Sequence, residues 1–225
     1  MSEIIKIAID GPGGAGKSTI AKIVAKELEI DYIDTGAMYR AIGYKVKKTG
    51  VDIEDMTALQ AMLDETDIDF NQGNIILDGT IVNKEIRTPD MSLMASKVAA
   101  LGIVREKLVA LQRAMGKTKS IIMDGRDIGS NVLTDAEFKF FMTASAEERA
   151  DRRYKELIEK GEEVTFEDVL NDIKQRDYND THRKLNPLKA ADDAIMLDTT
   201  GMSIEEVVNN ILRKVKKIDG SIKTV

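Results

Sequence analysis

The sequence predicts an α/β fold of the doubly wound kind, on three observations. A short branched run near the start passes through a glycine-rich turn into a segment of helical period. Four later short runs repeat the strand signal, and the last of them leads into an amphipathic helix. At 225 residues, 43% hydrophobic and 32% charged, the chain suits one compact domain with insertions.

The first strand is Ile4 to Ile9, ending at Asp10, a near-continuous branched run of the sort buried on both faces of a parallel sheet. From Lys17 to Leu28 the apolar residues Ile20, Ala21, Ile23, Val24, Ala25 and Leu28 recur at helical spacing, completing half of a βαβ unit. Further strands are expected at Asp31 to Asp34, the weakest, and at Ser120 to Asp124, Phe138 to Met142 and Ala194 to Leu197. A closing helix runs from Ser203 to about Lys216. Two stretches break the alternation. Between Asp64 and Thr88 the pieces Ile68 to Phe70, Asn74 to Leu77 and Thr80 to Val82, divided by Asn-Gln-Gly-Asn and Asp-Gly turns, predict a small antiparallel meander inserted on the core. From Ala144 to Lys184 a highly charged stretch predicts two helices around Gly161. The first has only a thin apolar stripe, as mobile or solvent-bridging helices do, and the second carries Phe166, Val169, Leu170 and Ile173 on one face.

Composition excludes much. A net charge of −6 gives no basic footprint for polymeric nucleic acid or an anionic membrane surface. The absence of cysteine removes disulfides, thiolate zinc sites and thiol nucleophiles, and the single histidine, His182, is assigned to the surface because it has only polar neighbours. Residues Met1 to Asp10 lack the basic start and apolar core of a secretory leader, and no later run approaches the roughly 18 to 20 apolar residues of a membrane span, so a cytoplasmic location is expected. The eleven methionines are read as core filler.

The chemistry starts at Gly11-Pro12-Gly13-Gly14-Ala15-Gly16-Lys17-Ser18, which satisfies G-x-x-x-x-G-K-[ST] between a predicted strand and a predicted helix. Such a loop curls backbone N–H groups around phosphate oxygens at a helix N-terminus, Lys17 reaches the β and γ phosphates, and Ser18 holds Mg²⁺. With Thr19, these residues form the candidate ATP site. Asp124, closing an apolar strand in Asp124-Gly125-Arg126-Asp127, is either a carboxylate that orients Mg²⁺ through water or the first residue of an Asp-Gly turn. On the first charged helix Arg152 and Arg153 have Glu148 and Glu156 at pairing distance, whereas Arg149 has no carboxylate at i±3 or i±4. An unpaired arginine there reads as a lid group for a transferring phosphoryl, although spacing alone does not choose among Arg149, Arg152 and Arg153. On the second helix, Arg176, Asp180 and Arg183 by spacing alone read as an exposed ion cluster.

With the phosphate loop, Asp34-Thr35-Gly36-Ala37-Met38-Tyr39-Arg40, Asp124-Gly125-Arg126-Asp127 and the Arg176-to-Arg183 cluster in this order, the chain resembles the bacterial cytidylate kinases almost end to end. The resemblance implies a P-loop nucleoside monophosphate kinase fold with a five-stranded parallel sheet. The core would be residues 1–63, 98–143 and 185–225 of a single domain, with a monophosphate-binding insert at 64–97 and a helical lid at 144–184. It implies Mg²⁺-dependent phosphoryl transfer from ATP to CMP and dCMP, with no obligatory protein partner. Catalytic cations would be Lys17, Arg40, Arg126 and Arg149. Arg40 and Arg126 would hold the acceptor phosphate, beside Thr35, and Tyr39 would lie against the pyrimidine. Ser96, Arg105 and Asp127 would read the base, and Arg176, Asp180 and Arg183 would hold the sugar, in place of the exposed cluster. Cytosine offers N3 and O2 as acceptors and N4 as a donor, which suits an arginine and an aspartate, whereas uracil inverts two of the three positions. A kinase for UMP or AMP shares every phosphate-binding feature and differs only in these base readers. A GTP-binding switch fits poorly: Asp198-Thr199-Thr200-Gly201 comes too late, and Asn83-Lys84-Glu85-Ile86 lacks the final aspartate of the guanine-reading motif.

Overall fold

The structure, a computed structural model, describes residues 4–71 and 73–218. Gln72 of the first meander turn and the start of the segment read for a leader lie outside the described residues. In chain order the elements are β1 (Lys6–Asp10), α1 (Lys17–Glu27), β2 (Asp31–Asp34), α2 (Thr35–Thr49), α3 (Met56–Asp64), β3 (Ile68–Asn71), β4 (Asn74–Leu77), β5 (Thr80–Ile81), α4 (Pro89–Val98), α5 (Gly102–Met115), β6 (Ile121–Gly125), β7 (Phe138–Thr143), α6 (Ala146–Glu159), α7 (Phe166–His182), β8 (Ile195–Asp198) and α8 (Ile204–Ile218).

Five strands form a parallel sheet in the order β2-β6-β1-β7-β8. The period-2 alternation of β1 divides its side chains between two cores. Ile7 and Ile9 pack with α1 and α8 through Ile20, Val24, Val207 and Ile211. Ala8 faces the other way, toward Met38, Ile42, Leu63 and Leu108 of α2, α3 and α5. The register pairs Asp10 with Gly125, Ile9 with Asp124, and Asp34 with Asp124, so three aspartates reach the carboxyl edge of the sheet together. In open α/β sheets that edge, where the strand order reverses, is where ligands sit.

The expected meander is present as β3-β4-β5, antiparallel, with Asp78 and Gly79 both at positive φ (49° and 76°) in its second turn. Ile75 and Leu77 of β4 are buried in the main core, which anchors the insert to the domain. The charged stretch forms α6 and α7 around Gly161, and the hairpin has a small core of its own from Ala150, Leu157, Val169, Leu170 and Ile173. The apolar pattern did not place the helices α2, α3, α4 and α5. β2 passes directly into α2, with Asp34 as the N-cap accepting the Ala37 N–H at 2.8 Å. His182 is exposed and stacks on Tyr178, with ring centroids 4.1 Å apart. Met38, Met62, Met91, Met123 and Met142 fill cores, while Met56 and Met196 are exposed. No helix among the described residues is long and apolar enough to cross a membrane.

Candidate active site

The phosphate loop leaves β1 at Gly11, where φ is 147° and a Cβ would stand 2.0 Å from the Met142 carbonyl oxygen, so only glycine fits. Lys17 opens α1, is buried, and donates to the Pro12 carbonyl at 2.7 Å. Burial, and then the charge of Arg126, bring its ammonium down to about 7, against the pull of Asp124 and Asp10. Ser18 Oγ donates to Asp124 Oδ2 and Tyr32 Oη to Asp124 Oδ1, each at 2.8 Å, while Thr35 Oγ1 donates to the Asp124 backbone oxygen at 2.6 Å. Asp124 therefore lies inside β6, not in an Asp-Gly turn. Burial raises its carboxyl and nearby Asp34 adds to this, with Lys17 opposing. Ser18 and Asp124 together present hard oxygens at the phosphate loop. Among the described residues no group of three or more acidic or histidine side chains is placed to hold a metal. Such a set suits an ion that keeps waters and shares a nucleotide's phosphates, as Mg²⁺ does.

Beside the loop lie three guanidinium groups. Arg40 pairs with its own helix cap, Asp34, at 2.9 Å, and Arg126 Nε donates to Asp180 Oδ2 at 2.7 Å. Burial would lower the Arg126 pKa, but Asp180, with Asp124 and Asp177, outweighs it and the net direction is up. Arg176 is brought down to about 10 by burial and then by Arg126, with Asp180 opposing. A third cluster sits at Asp127. Its Oδ2 accepts from Arg105 and, at 3.0 Å, from Asn131, and its Oδ1 accepts from Arg183 at 2.9 Å. Tyr39 lies with Arg105 5.9 Å from its ring centroid, and its phenol is raised to about 12, chiefly by burial.

Two readings made from spacing are corrected. Asp180 is not part of an exposed cluster: it is 7% exposed and pairs with Arg126 from the end of β6, while Arg183 of the same stretch pairs with Asp127. Arg149 is not unpaired. It is 4% exposed, donates from NH1 and NH2 to Asp177 of α7 at 3.2 and 2.6 Å, and also reaches the carbonyls of Gly13 at 2.8 Å and Ala144 at 3.0 Å. It straps the helical hairpin to the phosphate loop from behind. Arg152 and Arg153 make the pairs expected of them, with Glu148 at 2.5 Å and Glu156 at 2.8 Å.

A cleft of about 680 Å³ brings most of these groups together. Gly13 to Thr19, Thr35, Tyr39, Arg40, Ser96, Asp124, Arg126, Asp127, Arg176, Asp180 and Arg183 line it, as do Arg152 and Arg153; Gly11, Pro12, Arg105 and Arg149 are not among its lining residues. Among the described residues five buried donor atoms have no partner: Arg40 Nε, Ser96 Oγ, Arg176 Nε, and Nε and NH1 of Arg105. Buried polar groups are satisfied in the great majority of cases, so a cluster of orphaned donors around one cleft is a binding surface for oxygen-rich or nitrogen-rich ligands.

The family model for cytidylate kinase matches residues 7–217. The chain belongs to the cytidylate kinase family. It is 52% identical over 209 residues to the cytidylate kinase of Clostridioides difficile, covering 93% of this chain and 97% of that one. Against the cytidylate kinase of Clostridium perfringens it is 50% identical over 217 residues, covering 96% and 100%. Among solved structures, an uncharacterized protein from Eubacterium ventriosum shares the fold at a TM-score of 0.54 and 14% identity, covering 96% of this chain and 99% of that one.

Sequence reasoning missed four side chains that shape the cleft. Asp34 was visible as an Asp-Thr cap at a strand–helix junction, had the helical period of Ala37, Met38, Ala41 and Ile42 been followed. Tyr32, Asp177 and Asp10 carry no local signal, because their partners are remote in the chain.

Proposed function

We propose that this chain transfers the γ-phosphoryl group of ATP, with Mg²⁺, to an α-phosphate oxygen of CMP or dCMP. A new oxygen–phosphorus bond forms to the γ-phosphorus as its bond to the β,γ-bridging oxygen breaks, leaving ADP. One observation carries the reading: in a chain of this family, a phosphate loop meets the orphaned buried donors of Arg40, Ser96 and Arg176 around a single cleft, with those of Arg105 beside its lining residue Asp127.

The acceptor phosphate is already anionic, so no general base is required and the protein supplies alignment and positive charge. Residues Gly11 to Thr19 take the donor phosphates and Lys17 neutralises charge on them. Ser18, with Asp124 through water, would hold Mg²⁺, which offsets phosphate charge. Arg40 and Arg126 take the acceptor phosphate with Thr35 beside them, and Tyr39 backs the pyrimidine. Ser96, Arg105 and Asp127 read cytosine, and the orphaned donors of Ser96 and Arg105 fit its acceptor positions. A carboxylate facing the O4 of uracil would lack a donor, which disfavours UMP. Arg176, Asp180 and Arg183 hold the sugar. Arg149 contributes by fixing the Gly13 carbonyl, which leaves Arg152 and Arg153, of the three arginines on α6, facing the cleft. Residues 64–97 serve as the monophosphate-binding insert and 144–184 as the lid. The reaction uses free nucleotides, and we place it in the cytoplasm without an obligatory protein partner.

The test is a coupled assay of ADP production with ATP and Mg²⁺, offering CMP, dCMP, UMP, AMP and GMP separately. Turnover concentrated on CMP and dCMP is expected. A preference for UMP or AMP would keep the phosphoryl-transfer chemistry and discard the base readers.

A further inference from the structure

Asp10 belongs to none of the motifs above. It closes β1 immediately before Gly11 and is 3% exposed. Its Oδ1 accepts the Ile128 N–H at 2.7 Å and its Oδ2 the Gly129 N–H at 2.8 Å. These are the first two N–H groups of a single π-helical turn, Ile128–Val132, and have no partner within it. An aspartate at the N-cap of such a turn normally supplies the missing acceptor. That position is held by Asp127, whose side chain makes no capping bond. Its carboxylate is directed to Arg105, Arg183 and Asn131. The parallel register of β1 on β6 sets Asp10 beside Gly125, so two carboxylates arrive at one turn and the remote one caps it. Burial pushes the Asp10 carboxyl up to about 6, aided by repulsion from Asp127, while the two amides and Lys17 oppose the rise. The cap is therefore anionic at neutral pH.

We infer that Asp10 is a positioning residue for acceptor specificity: by capping the 128–132 turn from the neighbouring strand, it frees the Asp127 carboxylate to face the acceptor base. The inference rests on Asp127 as a base reader. Asp10 also leads directly into the phosphate loop, so the loop for donor phosphate and the loop for acceptor base share one anchor. In Asp10→Asn one backbone N–H meets an amide that cannot accept, and Asp127 is drawn back to cap its own turn, releasing Arg105 and Arg183.

The experiment compares kcat/KM for CMP and for UMP in the unaltered protein, Asp10→Asn, Asp127→Asn and the double variant. The CMP:UMP ratio is expected to fall about tenfold or more in Asp10→Asn, the size of one lost hydrogen bond to a charged group, and no further in the double variant than in Asp127→Asn. A purely structural Asp10 would lower both substrates alike. An unchanged ratio in Asp10→Asn beside a reduced one in Asp127→Asn overturns the inference, and a ratio unchanged in both overturns the reading of Asp127 itself. Circular dichroism establishes that each variant is folded. Should Asp10→Asn not fold, Asp10→Ser, which keeps a rotatable acceptor, provides the same comparison.

Discussion

Arg149→Met removes the charged head that straps the helical hairpin to the phosphate loop and keeps most of the aliphatic stem. Four hydrogen bonds are lost: two to Asp177 and one each to the carbonyls of Gly13 and Ala144. Removing one partner of a buried ion pair costs about 3–5 kcal/mol, because the other is left without compensation. Asp177 is 24% exposed and regains some hydration, which places the expected loss near the lower end, about 3 kcal/mol. For a chain of this size that corresponds to a fall of roughly 6–12 °C in Tm. Urea unfolding followed by circular dichroism, on Arg149→Met, Asp177→Asn and the double variant, isolates the pair. The two changes should be strongly non-additive, with Asp177→Asn costing little once Arg149 is gone. Since the strap ends on Gly13, KM for ATP should rise more than KM for CMP. A loss below about 1 kcal/mol, or additive single effects, would refute the strap.

Lys17→Ala should reduce turnover on the order of 10²- to 10³-fold or more with an unaltered circular dichroism spectrum, and near-normal turnover would remove the basis of the proposed chemistry. Ser18→Ala should raise the Mg²⁺ concentration for half-maximal turnover about tenfold or more while calorimetry finds CMP binding retained; equal Mg²⁺ dependence would exclude Ser18 as its ligand. The Asp10 carboxyl sits at about 6 in the fold against an ordinary 3.8. Between those values the folded state holds a proton that the unfolded state has lost, so this group's contribution to stability grows as pH falls and shrinks as pH rises through about 6. Relative to Asp10→Asn, the unaltered protein should gain about 2 kcal/mol between pH 7 and 4 in urea unfolding; a constant difference would count against the raised carboxyl.

The sequence by itself determined the parallel core, the meander and the phosphate loop, because each is written in local pattern. Branched runs, turn residues at fixed offsets and glycines required by backbone geometry act over a few residues, and a reading along the chain sees that range. The helix after Asp34 was equally local and was passed over only because its strand signal was weak. Ordered short motifs also made the family legible, since they record several distant parts of one site at once. What only the tertiary structure decided was the partner of each charge. Helical spacing reports neighbours on the same helix, and on that evidence Arg149 had none and Asp180 lay between two arginines. The fold instead joins Arg149 to Asp177 across the hairpin, Asp180 to Arg126, and Arg183 to Asp127, over 28, 54 and 56 residues of chain. Burial makes such pairing compulsory, since a desolvated charge without a partner is costly, and burial depends on which elements the sheet brings face to face. Asp10 shows the same limit: its partners follow from the pairing of β1 with β6, which no stretch of local sequence contains.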